Sequence, residues 1–294
     1  MAKAHFALDG DVGEIVLADP PLNLFGPELA RDVAEAAAAA RDSSARAVLV
    51  RAEGDNFSAG ANVEMFLGRD EAAARELIEE FLPAVRLFAE IEVPTIAAVQ
   101  GLCLAAGLEV ALTCDLIWAA EGTQLGLVEA VIGATPFGGG TQRLVARAGA
   151  GRAAEAVLTG RPYPAETMLD WGVVNRVVAS GELLDKARSF AGRLAAGPTL
   201  AHAATKRMIR LAVDEGVEAA DAALPETGAR VMASADLQNG ARTLLEQGPG
   251  KRPSKGADQR LTACSAPATS PACTASTPVV AAASVASGPA TITR

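Results

Sequence analysis

Two of the four carboxylates within residues 101–144, Glu109 and Glu129, stand twenty positions apart in a stretch otherwise dominated by Ala, Gly and apolar side chains. A carboxylate in such surroundings costs free energy unless it is paired, neutralised or put to use. Two of them together can divide proton transfer, one acting as base and the other as acid. Two small-residue turns accompany the pair. Phe57-Ser58-Ala59-Gly60-Ala61-Asn62 is a glycine-punctuated loop, and residues 101–107 carry the chain from a strand into a helix start. The first amides of a helix lack internal partners and sit at the positive end of its dipole. Two such N–H groups aimed at one point would form an oxyanion hole.

Each feature also has a plainer reading. Glu109 could complement a helix dipole, Glu129 could be a surface acid, and small residues between a strand and a helix often serve packing alone. Gly138-Gly139-Gly140 precedes a helix, and residues 133–138 even have the spacing of a phosphate loop. Gly139 and Gly140 stand where that motif needs Lys and Ser or Thr, so a nucleoside triphosphate site is excluded. The pair and the turns together favour acid–base chemistry beside a polarised carbonyl.

The elements that must position these groups follow from pattern. Residues 6–8 and 14–17 read as strands joined by a turn at Asp9-Gly10-Asp11. Residues 28–41 form an Ala-rich helix behind Pro27, and residues 47–50 an apolar strand. Leu77, Phe81, Leu82, Val85 and Phe88 recur at helical spacing, giving a long helix over 71–91 that Pro94 ends. Residues 95–99 are an uncharged, buried strand, 105–112 a helix and 115–119 another strand. The order β-β-α-β-α-β-α-β predicts an α/β fold with mostly parallel pairing. Residues 139–246 are expected to be helical, broken only at 173–178, with helices over 183–195, 200–214 and 218–234.

Composition narrows the function. The 294 residues are half hydrophobic and carry a formal net charge of −9, with no basic stripe to follow a phosphate backbone, so nucleic acid is not an expected partner. Two His exclude a HExxH zinc site and disfavour a His-based triad, and no metal site is expected. Cys103 and Cys114 lie in the apolar stretch and read as reduced, buried thiols; Cys264 and Cys273 lie beyond it, and no CxxC occurs. Residues 93–108, the longest uncharged run ahead of the Ala/Ser/Thr-rich residues 261–293, are too short and too broken by Pro94 and glycines to span a bilayer. The N-terminal MAKAHFALDGD lacks an apolar signal segment, so a cytoplasmic protein without a membrane partner is expected. Residues 257–294 are dominated by Ala, Ser, Thr, Pro and Val and read as a disordered tail.

At this point the residues resemble the crotonase, or enoyl-CoA hydratase/isomerase, family. FSAGANVEM is similar to that family's FxAGADIKEM, GLCLAAGLEVALTCDL to GxxxGGGxELALACDI, and LGLVEAVIGATPFGGGTQRL to FxxPEIxLGxxPGxGGTQRL. The closing LLEQGPGKRPSKG resembles FLEKRKPxFKG, so the likeness runs over residues 5–256 in the family's order. Three departures stand out: Ala105-Ala106-Gly107 for the triple glycine, Asn62 for Asp, and Glu64 for Lys.

The resemblance implies a spiral of ββα units over 1–195, a helical trimerisation region over 196–256, and a homotrimer or dimer of trimers. It implies an acyl-CoA thioester substrate and no separate cofactor, coenzyme A being part of the substrate. The N–H groups of Ala61 and Ala106 would form the oxyanion hole. Glu109 and Glu129 fall on both catalytic glutamate positions of the hydratases: Glu109 as base for water, Glu129 as proton donor to the α-carbon. Ala59, Gly60, Asn62, Val63, Gly107, Pro136 and Gly138 would border the substrate, with acyl-tunnel residues coming from 71–88 and the loop before it. The activity implied is hydration of a 2-trans-enoyl-CoA or its reverse. Δ3,Δ2-enoyl-CoA isomerisation, which needs Glu129 but not Glu109, is the alternative. A polyketide-type dehydratase or decarboxylase and a non-catalytic acyl-CoA- or RNA-binding member also stand; the small basic cluster Lys206-Arg207-Arg210 reads as a solvated face.

Overall fold

A computed structural model describes residues 2–248; the expected tail over 257–294 lies outside the described residues. The chain begins with the hairpin β1 (Ala4–Asp9) and β2 (Val12–Leu17), followed by α1 (Pro27–Asp42), β3 (Ala47–Ala52) and α2 (Glu71–Glu90). Next come β4 (Thr95–Val99), β5 (Leu102–Leu104), α3 (Ala106–Thr113), β6 (Leu116–Ala120) and β7 (Gln124–Gly126). After these come α4 (Gly140–Ala148), α5 (Ala150–Thr159), β8 (Tyr163–Pro164), α6 (Ala165–Asp170) and β9 (Arg176–Val178). The described chain ends with α7 (Leu183–Ala195), α8 (Thr199–Asp214), α9 (Val217–Met232) and α10 (Ala235–Gln247).

Six strands form one sheet in the order β1-β2-β3-β4-β6-β9. Its pairs are parallel except the opening hairpin, which matches the α/β expectation. The parallel strands are buried along their length, so they read as unbroken apolar runs rather than alternating ones. The helix α7 presents Leu183, Ala187, Ala191 and Ala195 to this sheet, at a spacing of four, where they meet Leu49, Ile96 and Trp118.

A second sheet, β5-β7-β8, was not foreseen. The turn expected to run directly from a strand into a helix over 101–107 instead contains β5. The helical region is likewise interrupted at β8 as well as at β9. These strands are two or three residues long, too short to display a period, and their pairing is non-local.

The local reasons for the main helices are ordinary. Pro27 opens α1, and its buried Leu29, Val33, Ala36, Ala37 and Ala40 form one stripe. Asp70 caps α2 by accepting from the Ala73 N–H at 2.9 Å. Pro83 lies within α2 on its exposed side, where the missing N–H leaves one carbonyl to solvent. Buried Lys206 of α8 donates to Asp115 at 2.7 Å and to the Val93 carbonyl at 3.0 Å, which fastens the C-terminal helices to the sheet.

Candidate active site

Two turns are zipped together at the start of the site. The Ser58 N–H donates to Leu102 O, the Leu104 N–H to Ser58 O, and a bridge pairs Ser58 with Cys103. Gly60 has φ +105°, and a Cβ there would lie 2.9 Å from the Ala105 Cβ, so that position requires glycine. Gly107 lies against Ser58, where a Cβ would come within 2.6 Å of the Ser58 Cβ.

Ala61 is bracketed by two backbone bonds, Phe25 N–H to Gly60 O at 2.8 Å and Asn62 N–H to Phe25 O at 2.9 Å. In that parallel bridge the N–H of Ala61 itself faces away from Phe25. Ala106 is the first residue of α3, so its N–H has no partner inside the helix. Both alanines are half-buried. The residue before the helix, Ala105, has φ +46° and ψ −121° and is held by its N–H to Gly126 O at 2.8 Å.

The remaining expected residues fall around these two turns. The Ala59 N–H donates to Leu22 O at 2.9 Å. The Asn62 Oδ1 accepts from the Glu64 N–H at 3.1 Å and so caps the single helical turn Val63–Phe66, in which Val63 is exposed. Pro136 is buried in the loop that leads to Gly138.

Glu109 lies in the first turn of α3 and is 5% exposed. Its Oε1 accepts from the Gly138 N–H at 2.8 Å and the Gly140 N–H at 2.9 Å. A side chain at either donor would displace the carboxylate: a Cβ on Gly138 would sit 2.8 Å from Glu109 Oε2, and one on Gly140 2.9 Å from Glu109 Cγ. Arg143 Nη1 donates to the carbonyls of Gly138 and Gly139 and steadies this loop. Burial pushes the Glu109 carboxyl above the usual carboxylate range, while the two amides and the Arg143 charge pull it back.

Glu129 opens a short helical turn, Glu129–Ile132. Its Oε2 is buried and has no hydrogen-bond partner among the described residues. Burial raises its pKa to about 7, its own backbone N–H opposes that rise, and the nearby Glu109 charge adds to it. The two carboxyls are therefore electrostatic neighbours with different surroundings, one held by two amides and one without a partner for its buried oxygen. Such a pair can carry a single proton between them at neutral pH.

Sequence reasoning missed the residue that organises the first turn. Asn23 is fully buried with φ +46°. Its Nδ2 donates to Glu53 O at 3.0 Å and Asn56 O at 2.9 Å, and its Oδ1 accepts from the Asp19 N–H at 2.8 Å. Its carbonyl accepts from Ser58 Oγ at 2.8 Å, and Ser58 Oγ in turn accepts from the Gly60 N–H at 3.1 Å. The available signal was an Asn after a Pro-Pro loop, a residue type that tolerates left-handed backbone. Gly140 as a donor to Glu109 left no trace beyond its glycine run. Among the described residues no group of three or more His, Cys, Asp or Glu could hold a metal ion, and no helix is long and apolar enough to cross a membrane.

A ββα-rich parallel sheet, two zipped small-residue turns and a buried carboxyl pair define a crotonase-type site. A profile of the enoyl-CoA hydratase/isomerase family matches residues 8–251, and the chain belongs to that family. It is similar to the carnitinyl-CoA dehydratase of Proteus mirabilis, 30% identical over 249 residues that span 83% of this chain and 95% of that one. Among solved structures it resembles DspI of Pseudomonas aeruginosa, with 31% identity, a TM-score of 0.78 and coverage of 87% and 97%. An enoyl-CoA hydratase from Bacillus anthracis is 26% identical with a TM-score of 0.79, covering 86% of this chain and 98% of that one.

Proposed function

We propose that this enzyme adds water across the 2,3 double bond of a 2-enoyl-CoA thioester and catalyses the reverse dehydration of the 3-hydroxyacyl-CoA. The observation that carries the reading is the pair itself: Glu109 pinned by two amides, and Glu129 raised to about 7 with a buried, unpartnered oxygen. The name of the Proteus mirabilis relative, a dehydratase of an acyl-CoA, is consistent with the same chemistry.

The thioester carbonyl lies against the N–H groups of Ala61 and Ala106, which take up charge as it develops on the oxygen. Ionised Glu109 accepts a proton from water while the water oxygen bonds to C3. The C2–C3 π electrons move toward the carbonyl and form an enolate held by the two amides. Collapse of the enolate takes the Glu129 proton onto C2. In the dehydration direction each carboxyl exchanges its role, so one proton on the pair serves both directions.

The test uses crotonyl-CoA and a 3-enoyl-CoA with Glu109→Gln and Glu129→Gln. Loss of either carboxyl is expected to lower crotonyl-CoA hydration by about 100-fold or more. If crotonyl-CoA were inert and Glu129→Gln alone abolished turnover of the 3-enoyl-CoA, the enzyme would be an isomerase and the hydration reading would fail.

A further inference from the structure

We propose that Phe66 and Phe137 form an aromatic gate that restricts the acyl group to short chains. The proposal takes its reaction from the hydration reading above, but the size limit stands on separate geometry. The two rings meet edge to face, with centroids 6.1 Å apart and planes at 67°. Phe66 closes the helical turn Val63–Phe66, which begins just after Ala61. Phe137 directly precedes Gly138, whose N–H holds Glu109. The ring pair therefore joins the loop that presents the carbonyl-binding amide to the loop that fixes the carboxylate.

A substrate with its carbonyl at Ala61 and C3 at Glu109 runs from the first loop toward the second. In the proposed gate, carbons beyond C3 reach the line where the rings meet. Behind the Gly138–Gly140 loop, Val85 and Leu127 leave little room: a Cβ on Gly138 would come within 3.1 Å of Val85 Cγ2, and a Cβ on Gly140 within 2.8 Å of Leu127 Cδ2. Edge-to-face pairs favour their mutual contact over separation, so the rings resist being parted by a growing alkyl chain. Phe137 is 39% exposed and Phe66 is half-buried, so the rings meet near the surface rather than in the core. Phe137 stands in the run Gly133-Ala134-Thr135-Pro136-Phe137-Gly138-Gly139-Gly140, so its ring is the one large side chain of a loop otherwise built from small residues.

The experiment compares binding of butyryl-CoA and decanoyl-CoA, which lack the reactive double bond, in the wild type, Phe137→Gly and Phe66→Ala. The wild type is expected to prefer butyryl-CoA. Each variant is expected to shift the decanoyl-to-butyryl affinity ratio toward decanoyl by about tenfold or more, the scale at which apolar pockets discriminate added methylenes. Because both ligands are measured on one sample, a partly unfolded variant leaves the ratio unaffected. The same ratio read as kcat/KM on crotonyl-CoA and 2-decenoyl-CoA should move in parallel. A ratio unchanged in either variant, or a wild type that binds decanoyl-CoA more tightly, overturns the gate. If no enoyl-CoA is hydrated yet the binding ratio shifts as expected, the hydration reading fails and the gate stands.

Discussion

Glu129 makes the pH dependence of this enzyme specific. Its pKa of about 7 arises first from burial and then from the Glu109 charge, so above that pH the pair loses the proton that the proposed hydration would deliver to C2. On the acid side, activity should rise as Glu109 ionises, above the usual carboxylate range because burial also raises that group. The profile of kcat/KM on crotonyl-CoA should therefore be a bell whose alkaline limb bends near pH 7. A rate that stays level well above that point would remove Glu129 as the acid. Gly140→Ala probes the same pair from the backbone: its Cβ would meet Glu109 Cγ at 2.9 Å and Leu127 Cδ2 at 2.8 Å and so displace the carboxylate. The expected result is at least a tenfold fall in kcat with a smaller change in KM, the pattern of a misaimed base. Both glutamates were legible because they fall beside small-residue turns, at catalytic positions of the family-like segments, whereas Asp115 and Glu121 of the same run do not match such positions. The amides of Gly138 and Gly140 were not legible as the partners of Glu109, since a backbone donor has no side chain to mark it.

At the scale of elements, the long helices and buried strands were readable wherever a period could repeat. The pattern over α2 and α7 placed both within a residue or so, and β4 appeared with the expected bounds. What escaped was the small sheet β5-β7-β8, made of strands too short for a period and paired across the chain. That sheet seats β5 beside the Ser58 turn, so the unread element is the one that brings the two alanine amides into one region. Asn23 is the other hidden positioning device. Asn23→Ala would leave Glu53 O, Asn56 O and the Asp19 N–H without their partner, at a cost of about 2–3 kcal/mol. A fall in thermal midpoint with a still larger fall in kcat would mark it as the organiser of the first turn; a stability loss with kcat intact would limit it to a structural role. Ala105 offers the converse case. An alanine at φ +46°, ψ −121° is strained by about 1–3 kcal/mol, so Ala105→Gly should raise stability by about 1 kcal/mol net of glycine's extra freedom in the unfolded chain.

For the molecule as a whole, the C-terminal helices carry an apolar surface that nothing within the described residues covers. Ile209 and Val213 of α8 are 60% and 59% exposed and lie four residues apart, hence on one helix face. Val217, Leu224 and Met232 of α9 are likewise exposed. Beside Ile209 and Val213, buried Lys206 and the bond from Arg210 to the Ala89 carbonyl fasten α8 to the core, so that helix is held in place rather than free to fold over its own apolar residues. A surface of this kind is characteristic of an interaction site, and we propose that it is the trimerisation region expected from the sequence. A closed ring of three needs two different patches per subunit, each meeting the other kind on its neighbour. Sedimentation of the full chain should therefore give three subunits or a multiple of three. The double substitution Ile209→Asp and Val213→Asp, placing two charges on that face, should shift the population toward monomers. A wild type that sediments as a monomer at micromolar concentration would refute the assignment, as would a double variant with unaltered assembly.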